Sequence, residues 1–237
     1  MCAFTHMCCT MSYIKENLIS IRKSLFPSGG SWKGALVAVS KYHPEEAIME
    51  AYEAGQRVFG ESHVQELQRK YEALPKDIEW HFIGHLQTNK VKYIAPYVSL
   101  IHAVDTPKLL AEISKQGLKC GRTIPCLLQL HVAQEETKFG FTVEEAEEFL
   151  QSGAWREMKG VQLCGIMCMA SLTDNEDQIA REFETAHQFF LHAKATYFGD
   201  EFRECSWGMS DDYPIAVQHG STMVRIGSKI FGNRVYS

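Results

Sequence analysis

Lys41 is the residue whose type and position most strongly suggest covalent chemistry. It ends an otherwise apolar segment, residues 35–41, that has the composition of a buried β-strand. Partial burial at a strand end disfavours the ammonium form and lowers the pKa of a lysine. A neutral amine is the form that attacks a carbonyl carbon to give an imine. The alternative is a lysine whose stem packs on the core while its ammonium reaches solvent.

Two loops near the end of the chain, residues 206–214 and 220–228, are rich in glycine, serine and threonine. Backbone N–H groups at a helix start, together with hydroxyls such as that of Ser210, form binding sites for anions. Ordinary turns use the same residue types, so each loop alone is a weak indication. Two such loops in succession favour a phosphate-type site.

Apolar β-type segments alternate with amphipathic helical patterns along the chain. Strands are predicted at residues 35–41, 57–60, 79–84, 99–104, 124–131, 160–169, 204–207 and 223–226. Helices are predicted at residues 11–25, 44–54, 64–73, 89–93, 107–116, 142–152 and 177–197, with a short one after Pro214. Eight βα units indicate a closed parallel barrel or a doubly wound sheet. No glycine-rich dinucleotide motif follows the first strand, which favours the barrel.

The predicted fold is therefore α/β, a single TIM-type (β/α)8 barrel with an extra N-terminal helix. The domain is expected to span residues 11–237, and residues 1–10 to be disordered or to precede the true start at Met11. In such a barrel, chemistry gathers at the C-terminal ends of the strands. Those ends here carry polar and glycine residues at positions 41, 60–62, 84–85, 131, 167–171, 207–210 and 225–227.

Composition argues against several classes of function. The 237 residues are 45% hydrophobic and 22% charged, with a formal net charge of -5, so general attraction to nucleic acid or to an anionic membrane is not expected. No apolar segment approaches the roughly 20 residues of a membrane span. The first ten residues do not resemble a signal peptide. We therefore expect a cytoplasmic protein with eight reduced cysteines and no metal site.

Six ordered motifs make the chain resemble a known family. They are VSK at 39–41, FGESHVQE at 59–66, WHFIGHLQTNK at 80–90, KFG at 138–140, GMSD at 208–211 and GSTMVRIG at 220–227. The segment IFGNR at 230–234 closes the chain in the same way. Together they resemble the pyridoxal phosphate homeostasis protein family, over nearly the whole sequence from about Met11.

The resemblance implies a fold like the N-terminal barrel of alanine racemase, without the second domain of that enzyme. It also implies a cofactor, pyridoxal 5'-phosphate (PLP), held as an aldimine on Lys41. The positions that match the phosphate-holding residues of the family are Ser210, Ser221, Thr222 and Gly227.

Arg225 matches the arginine that faces the pyridine nitrogen of the cofactor. A permanently charged guanidinium there disfavours the pyridinium, and a neutral ring is a poorer electron sink for a carbanion. Ser62 departs from the family, which usually has asparagine at this position. Serine has a shorter reach than asparagine, which puts a direct contact between residue 62 and the cofactor in doubt.

Four other positions have two interpretations each. His81 is predicted to be a hydrogen-bonded interior histidine and not a base. Gln87, Asn89 and Lys90 either bind something at the barrel mouth or cap a helix. Lys138 is either part of a solvated charge cluster or, as the resemblance allows, a secondary lysine that receives PLP. Glu61 either contacts the site or belongs to a salt-bridge layer in the barrel floor, and the floor is favoured.

The functional hypothesis is a non-enzymatic PLP-binding protein that buffers, protects or delivers the cofactor, with no catalytic residue assigned. The expected partners are PLP and PLP-dependent apoenzymes as recipients, and the expected state is a monomer or weak dimer. The first alternative is a PLP-dependent amino-acid racemase or lyase of low activity, although no second base is identifiable. The second is a regulatory partner protein for which PLP is only a ligand.

Overall fold

The eight strands that the structure describes form one closed barrel of parallel strands. The computed structural model describes residues 12–25, 32–134 and 139–232. Neighbours along the chain pair in order, and β8 pairs with β1 to close the barrel. The strands are β1 (Ala35–Val39), β2 (Val58–Glu61), β3 (Glu79–Phe82), β4 (Leu100–Val104), β5 (Ile124–Leu130), β6 (Val161–Cys168), β7 (Glu204–Ser206) and β8 (Met223–Ile226).

Helices follow the strands and surround the barrel, and one more precedes β1. They are α1 (Tyr13–Leu25), α2 (Glu45–Glu53), α3 (Val64–Ala73), α4 (Val91–Ile94), α5 (Pro107–Lys119), α6 (Val143–Ser152), α7 (Glu176–Ala193), α8 (Tyr213–Gln218) and α9 (Ser228–Phe231). The predicted fold class, including the N-terminal helix, is confirmed. The expectation for residues 1–10 lies outside the described residues.

Local sequence signals explain where several helices begin. Thr142 and Glu145 form the predicted capping box of α6, in which each side chain bonds the backbone N–H of the other residue. Thr106 caps α5 by accepting a hydrogen bond from the backbone N–H of Leu109. Pro107 then occupies the first turn of α5, where its missing N–H costs no hydrogen bond.

Helix α1 packs on the barrel through residues spaced three and four apart. Its buried side chains are Ile14, Leu18, Ile21 and Leu25. The hydroxyl of Tyr13 and the amide of Asn17 each donate a hydrogen bond, 3.0 Å long, to a backbone oxygen of α9. The helix is therefore held both by its apolar face and by the carboxyl end of α9.

The interior of the barrel has an apolar part and a polar part. The apolar part is a small cluster made of Val37, Leu100, Ala103, Leu127, Met167 and Met223. The polar part includes the buried side chains of His81, His102, Ser206 and Arg225. A much larger apolar layer lies outside the strands, under the helices.

The composition predicts neither a membrane span nor a metal site. None of the helices given above combines the length and the apolar composition that crossing a membrane requires. Within the same residues, no group of three or more His, Cys, Asp or Glu side chains is arranged to hold a metal ion. The cysteines at 120, 126, 164, 168 and 205 are free thiols.

Candidate functional site

Lys41 lies in a turn at the C-terminal mouth of the barrel. The prediction that it ends the first strand was wrong by two residues, because β1 ends at Val39. Ser40 and a turn at Lys41 and Tyr42 follow, and Tyr42 has a φ of 66°. A left-handed residue cannot continue a strand, so the chain turns here. Lys41 is half-buried at the mouth.

Arg225 extends from β8 into the barrel and is 4% exposed. Its Nη1 donates to the Oγ and to the backbone oxygen of Ser206, at 2.7 Å each, and its Nη2 donates to the backbone oxygen of Cys168 at 3.0 Å. Burial lowers the pKa of Arg225 from its ordinary value, although an arginine stays charged in proteins. The guanidinium is therefore a fixed positive charge in a rigid set of acceptors.

Ser210 and Gly227 meet at the mouth, where the loops after β7 and β8 converge. The Oγ of Ser228 donates to the Oγ of Ser210 at 3.0 Å. Gly227 packs so closely on β1 that a Cβ there would lie 3.0 Å from the backbone oxygen of Val39. These contacts bring two hydroxyls next to the strand that precedes Lys41.

Ser221 and Thr222 are not part of this group, which corrects the prediction that they hold a phosphate there. Both precede β8, whereas Gly227 follows it, so the strand separates them by roughly 16 Å. Thr222 belongs to the opposite end of the barrel, where its backbone oxygen accepts from the N–H of Ala35 at 2.8 Å. Its Oγ1 accepts from the N–H of Cys205 at 2.8 Å.

The hydroxyl of Ser221 is likewise used within the fold. It donates toward three backbone oxygens, of which that of Trp207 is nearest at 2.7 Å. Ser62, by contrast, does follow β2 at the C-terminal mouth. Its Oγ lies 3.2 Å from Nδ1 of His63, and its contact with a cofactor stays a prediction.

His81 is an interior, hydrogen-bonded histidine, as predicted. Its Nδ1 lies 3.0 Å from Nε2 of His102, and Nδ1 of His102 lies 2.9 Å from Oγ of Ser206. Burial lowers the pKa of His81 to about 3 and holds the pKa of His102 well below its usual range. Sequence reasoning missed His102, although one polar residue in the apolar strand β4 was a usable signal.

Glu61 does not lie in the barrel floor, which corrects the favoured interpretation. It ends β2 at the C-terminal mouth and faces helix α3, where its Oε1 lies 2.7 Å from Nζ of Lys70. The Oγ of Ser40 donates to the same oxygen at 2.6 Å. Burial raises the pKa of Glu61 to about 7, against the attraction of Lys70.

A cavity with a volume of about 540 Å³ opens at the C-terminal mouth, beside the ends of β3 and β4. His85 and Asp105 line it and are joined by a hydrogen bond of 2.7 Å between Nδ1 and Oδ2. Gln87 also lines it and makes no side-chain cap on the helical turn that follows. Lys138, the predicted secondary lysine, lies outside the described residues.

Comparisons with known proteins assign the chain to a family. A model of the family described as "Alanine racemase, N-terminal domain" matches residues 10–235. The chain therefore belongs to that family.

Among curated proteins, the chain resembles proteins named pyridoxal phosphate homeostasis protein. The one from Schizosaccharomyces pombe is 36% identical over 231 residues, covering 94% of each chain. The one from Aquifex aeolicus is 38% identical over 202 residues, covering 85% of this chain and 87% of the other. The chain is a member of the pyridoxal phosphate homeostasis protein family, which confirms the resemblance drawn from the motifs.

A solved structure agrees with this assignment. PipY of Synechococcus elongatus, solved with PLP bound, superposes with a TM-score of 0.81 at 33% identity, covering 92% of this chain and all of PipY. The same protein without PLP superposes with a TM-score of 0.84. The curated relatives from Schizosaccharomyces pombe and Aquifex aeolicus are named for pyridoxal phosphate homeostasis and not for a catalysed reaction, in agreement with the sequence prediction for this chain.

Proposed function

We propose that this protein binds PLP at the C-terminal mouth of its barrel and maintains the cellular supply of the cofactor. One observation carries the proposal: Lys41, Arg225 and the Ser210–Ser228 pair all lie at the mouth of the same barrel, in a chain related to a protein solved with PLP. Each matches one chemical part of PLP. The match between three unlike groups and one ligand supports PLP more strongly than any single residue.

The residues fit the cofactor in charge and hydrogen-bonding capacity. The hydroxyls of Ser210 and Ser228, with the backbone of Gly227, supply donors for the phosphate. The guanidinium of Arg225 supplies a positive charge for the side of the ring that carries the pyridine nitrogen. Lys41 supplies the amine for the aldehyde.

PLP supplies an aldehyde that condenses with a primary amine. Lys41 would supply the primary amine for this condensation at the mouth of the barrel. Arg225 would keep the ring nitrogen unprotonated, because a fixed positive charge beside it disfavours a second one. Such a site holds the cofactor without promoting carbanion chemistry, which supports storage or delivery over catalysis.

Several finer points are part of the same proposal. PLP-dependent apoenzymes are the recipients we propose for the cofactor. The cytoplasmic location and the monomeric or weakly dimeric state remain predictions from the sequence. Ser62 remains a candidate contact, whereas Ser221 and Thr222 are not proposed again, because both precede β8 and their hydroxyls already bond the backbone of the fold.

Transfer and exchange experiments distinguish this function from the alternatives. The protein loaded with PLP should restore activity to a PLP-dependent apoenzyme, and Lys41→Ala should not. With a panel of amino acids in heavy water, no deuterium should appear at the α-carbon. Deuterium incorporated at turnover rates would instead establish the racemase or lyase alternative. A stoichiometric protein partner that binds equally well to Lys41→Ala would favour the regulatory alternative.

A further inference from the structure

The turn that contains Lys41 has an unusual backbone. Among the residues that the structure describes, Tyr42 is the one non-glycine residue with a positive φ, 66°. A residue with a bulky side chain rarely adopts this conformation. It persists where the surrounding structure holds it, and such positions are concentrated at functional sites. Specific contacts with the surrounding structure must therefore hold this turn.

A buried charge cluster holds the turn on both sides of Lys41. The Nζ of Lys70, on α3, donates to the backbone oxygen of Ser40 at 2.8 Å. The same Nζ donates to Oε1 of Glu61 and to Oε1 of Glu66, at 2.7 Å each. Oε1 of Glu66 also accepts the backbone N–H of Tyr42 at 2.7 Å. The cluster thus bonds the residue before Lys41 and the residue after it.

Stability alone does not account for this cluster. The side chains of Lys70 and Glu61 are both 0% exposed, and a buried ion pair is often no more stabilising than apolar residues of the same volume. Oε2 of Glu61 is buried without a hydrogen-bond partner, which adds a further cost. The cluster is instead explained by its hydrogen bonds to the backbone oxygen of Ser40 and to the backbone N–H of Tyr42.

We infer that Lys70, with Glu61 and Glu66, is a positioning cluster that holds the turn at residues 40–42 and directs the amine of Lys41 toward the mouth. This inference rests on the proposed role of Lys41 as the attachment point. The cluster does not touch the cofactor. Loss of the cluster should reduce the reactivity of Lys41. The proposed phosphate-binding loops, which follow β7 and β8, should remain intact.

Variants of Glu66 give the sharpest test, because its side chain is 15% exposed and tolerates substitution better than the buried Lys70. Glu66→Ala removes the acceptor for the N–H of Tyr42, whereas Glu66→Gln keeps an acceptor oxygen. Arg69→Met is the matched control. Arg69 lies on the same helix, and its 3.4 Å ion pair with Glu45 is at the surface. Lys70→Met, if it folds, tests the centre of the cluster.

The first readouts use the protein without PLP. Amide hydrogen exchange at Tyr42 and the rate at which acetic anhydride labels Lys41 over a pH series should both change in Glu66→Ala. Glu66→Gln should stay near the wild type, and Arg69→Met should match it. Unchanged exchange and labelling in a folded Glu66→Ala protein would overturn the inference.

The second readouts use the cofactor and an analogue without the aldehyde, 4'-deoxypyridoxine 5'-phosphate. Loss of the hydrogen bonds that Glu66 accepts from the N–H of Tyr42 and from Nζ of Lys70 should lower the equilibrium constant for PLP attachment to Lys41 about tenfold in Glu66→Ala. Affinity for the analogue should change less than about twofold, since a change in the turn does not reach the phosphate loops. Equal losses for both ligands would show a merely structural role and contradict positioning.

The two proposals fail in different ways. If the wild type does not attach PLP at Lys41, the proposed function is wrong, and the exchange and labelling of the PLP-free protein still decide whether the cluster orders the turn. If the wild type attaches PLP and Glu66→Ala attaches it equally well, only the positioning inference is wrong.

Discussion

Arg225 and Ser206 are joined inside the barrel by two hydrogen bonds from one guanidinium nitrogen, 2.7 Å to Oγ and 2.7 Å to the backbone oxygen. An arginine only donates, so Oγ of Ser206 must accept. The hydroxyl proton of Ser206 is then free to bond Nδ1 of His102 at 2.9 Å. Nε2 of His102 must carry the ring proton and donate it to Nδ1 of His81 at 3.0 Å.

This chain of donors predicts the tautomers of both histidines. His102 and His81 should each be neutral with the proton on Nε2, since each Nδ1 accepts. Burial lowers the pKa of His81 to about 3, so this state should persist from pH 8 to about pH 5. Nitrogen-15 NMR of the histidine rings measures it directly. A protonated Nδ1 on His102, or a titration of His81 near pH 6.5, would contradict the assignment.

The proposed phosphate site predicts different results for the hydroxyls at the C-terminal mouth and for the hydroxyl of Thr222 at the other end of the barrel. Ser210→Ala and Ser228→Ala should each weaken PLP binding about fivefold, the value of one hydrogen bond near 1 kcal/mol. Thr222→Val should leave PLP affinity unchanged, because Thr222 bonds Glu204 and Cys205 at the other end of the barrel. Binding titrations with PLP measure these effects.

Pyridoxal, which lacks the phosphate, is the matched ligand for this comparison. Its affinity should be the same for the wild type, Ser210→Ala and Ser228→Ala. A loss for pyridoxal equal to that for PLP would place these hydroxyls away from the phosphate. Weaker PLP binding in Thr222→Val, with a normal free energy of unfolding, would restore the original prediction for that residue.

Glu61 predicts an unusual pH dependence of stability. Burial raises its pKa from 4.5 to about 7, so the folded protein holds a proton that the unfolded chain loses. The resulting stabilisation is present below pH 4.5 and is lost as the pH rises through about 7. Glu61→Gln cannot ionise and retains an acceptor oxygen, so this dependence should disappear.

Urea unfolding at pH 5, 6.5 and 8 measures this effect. The stability of the wild type relative to Glu61→Gln should fall between pH 5 and pH 8. Glu72→Gln, which replaces an exposed carboxylate on α3, the helix that carries Lys70, is the control and should show no such trend. A constant difference between the wild type and Glu61→Gln would mean that Lys70 keeps Glu61 ionised throughout.

Much of the fold was predictable because apolar periodicity reports which faces are buried. The alternation of eight strand and helix patterns was sufficient for the barrel. The apolar run ends at Val39, where β1 ends, but the strand was predicted to continue to Lys41 because the turn that stops it depends on Glu66 and Lys70 of α3. Such contacts link residues that are distant in sequence.

The candidate site was predicted in part, and its errors have physical causes. Residues that follow strands, such as Ser210 and Gly227, were placed correctly at the C-terminal mouth. Thr222 was misplaced because it precedes its strand, although it belongs to the same motif. Lys70 was missed, although its spacing from Val64 and Leu67 puts it on the buried face of α3.

Attachment of PLP to Lys41 is tested most directly by borohydride reduction of the loaded protein followed by peptide mass analysis. The proposal predicts a visible absorption band that reduction abolishes, and a stable mass addition on the peptide containing Lys41. Lys41→Ala should show neither. A protein that takes up no PLP, or a label found on another lysine with Lys41 unmodified, would contradict the proposal.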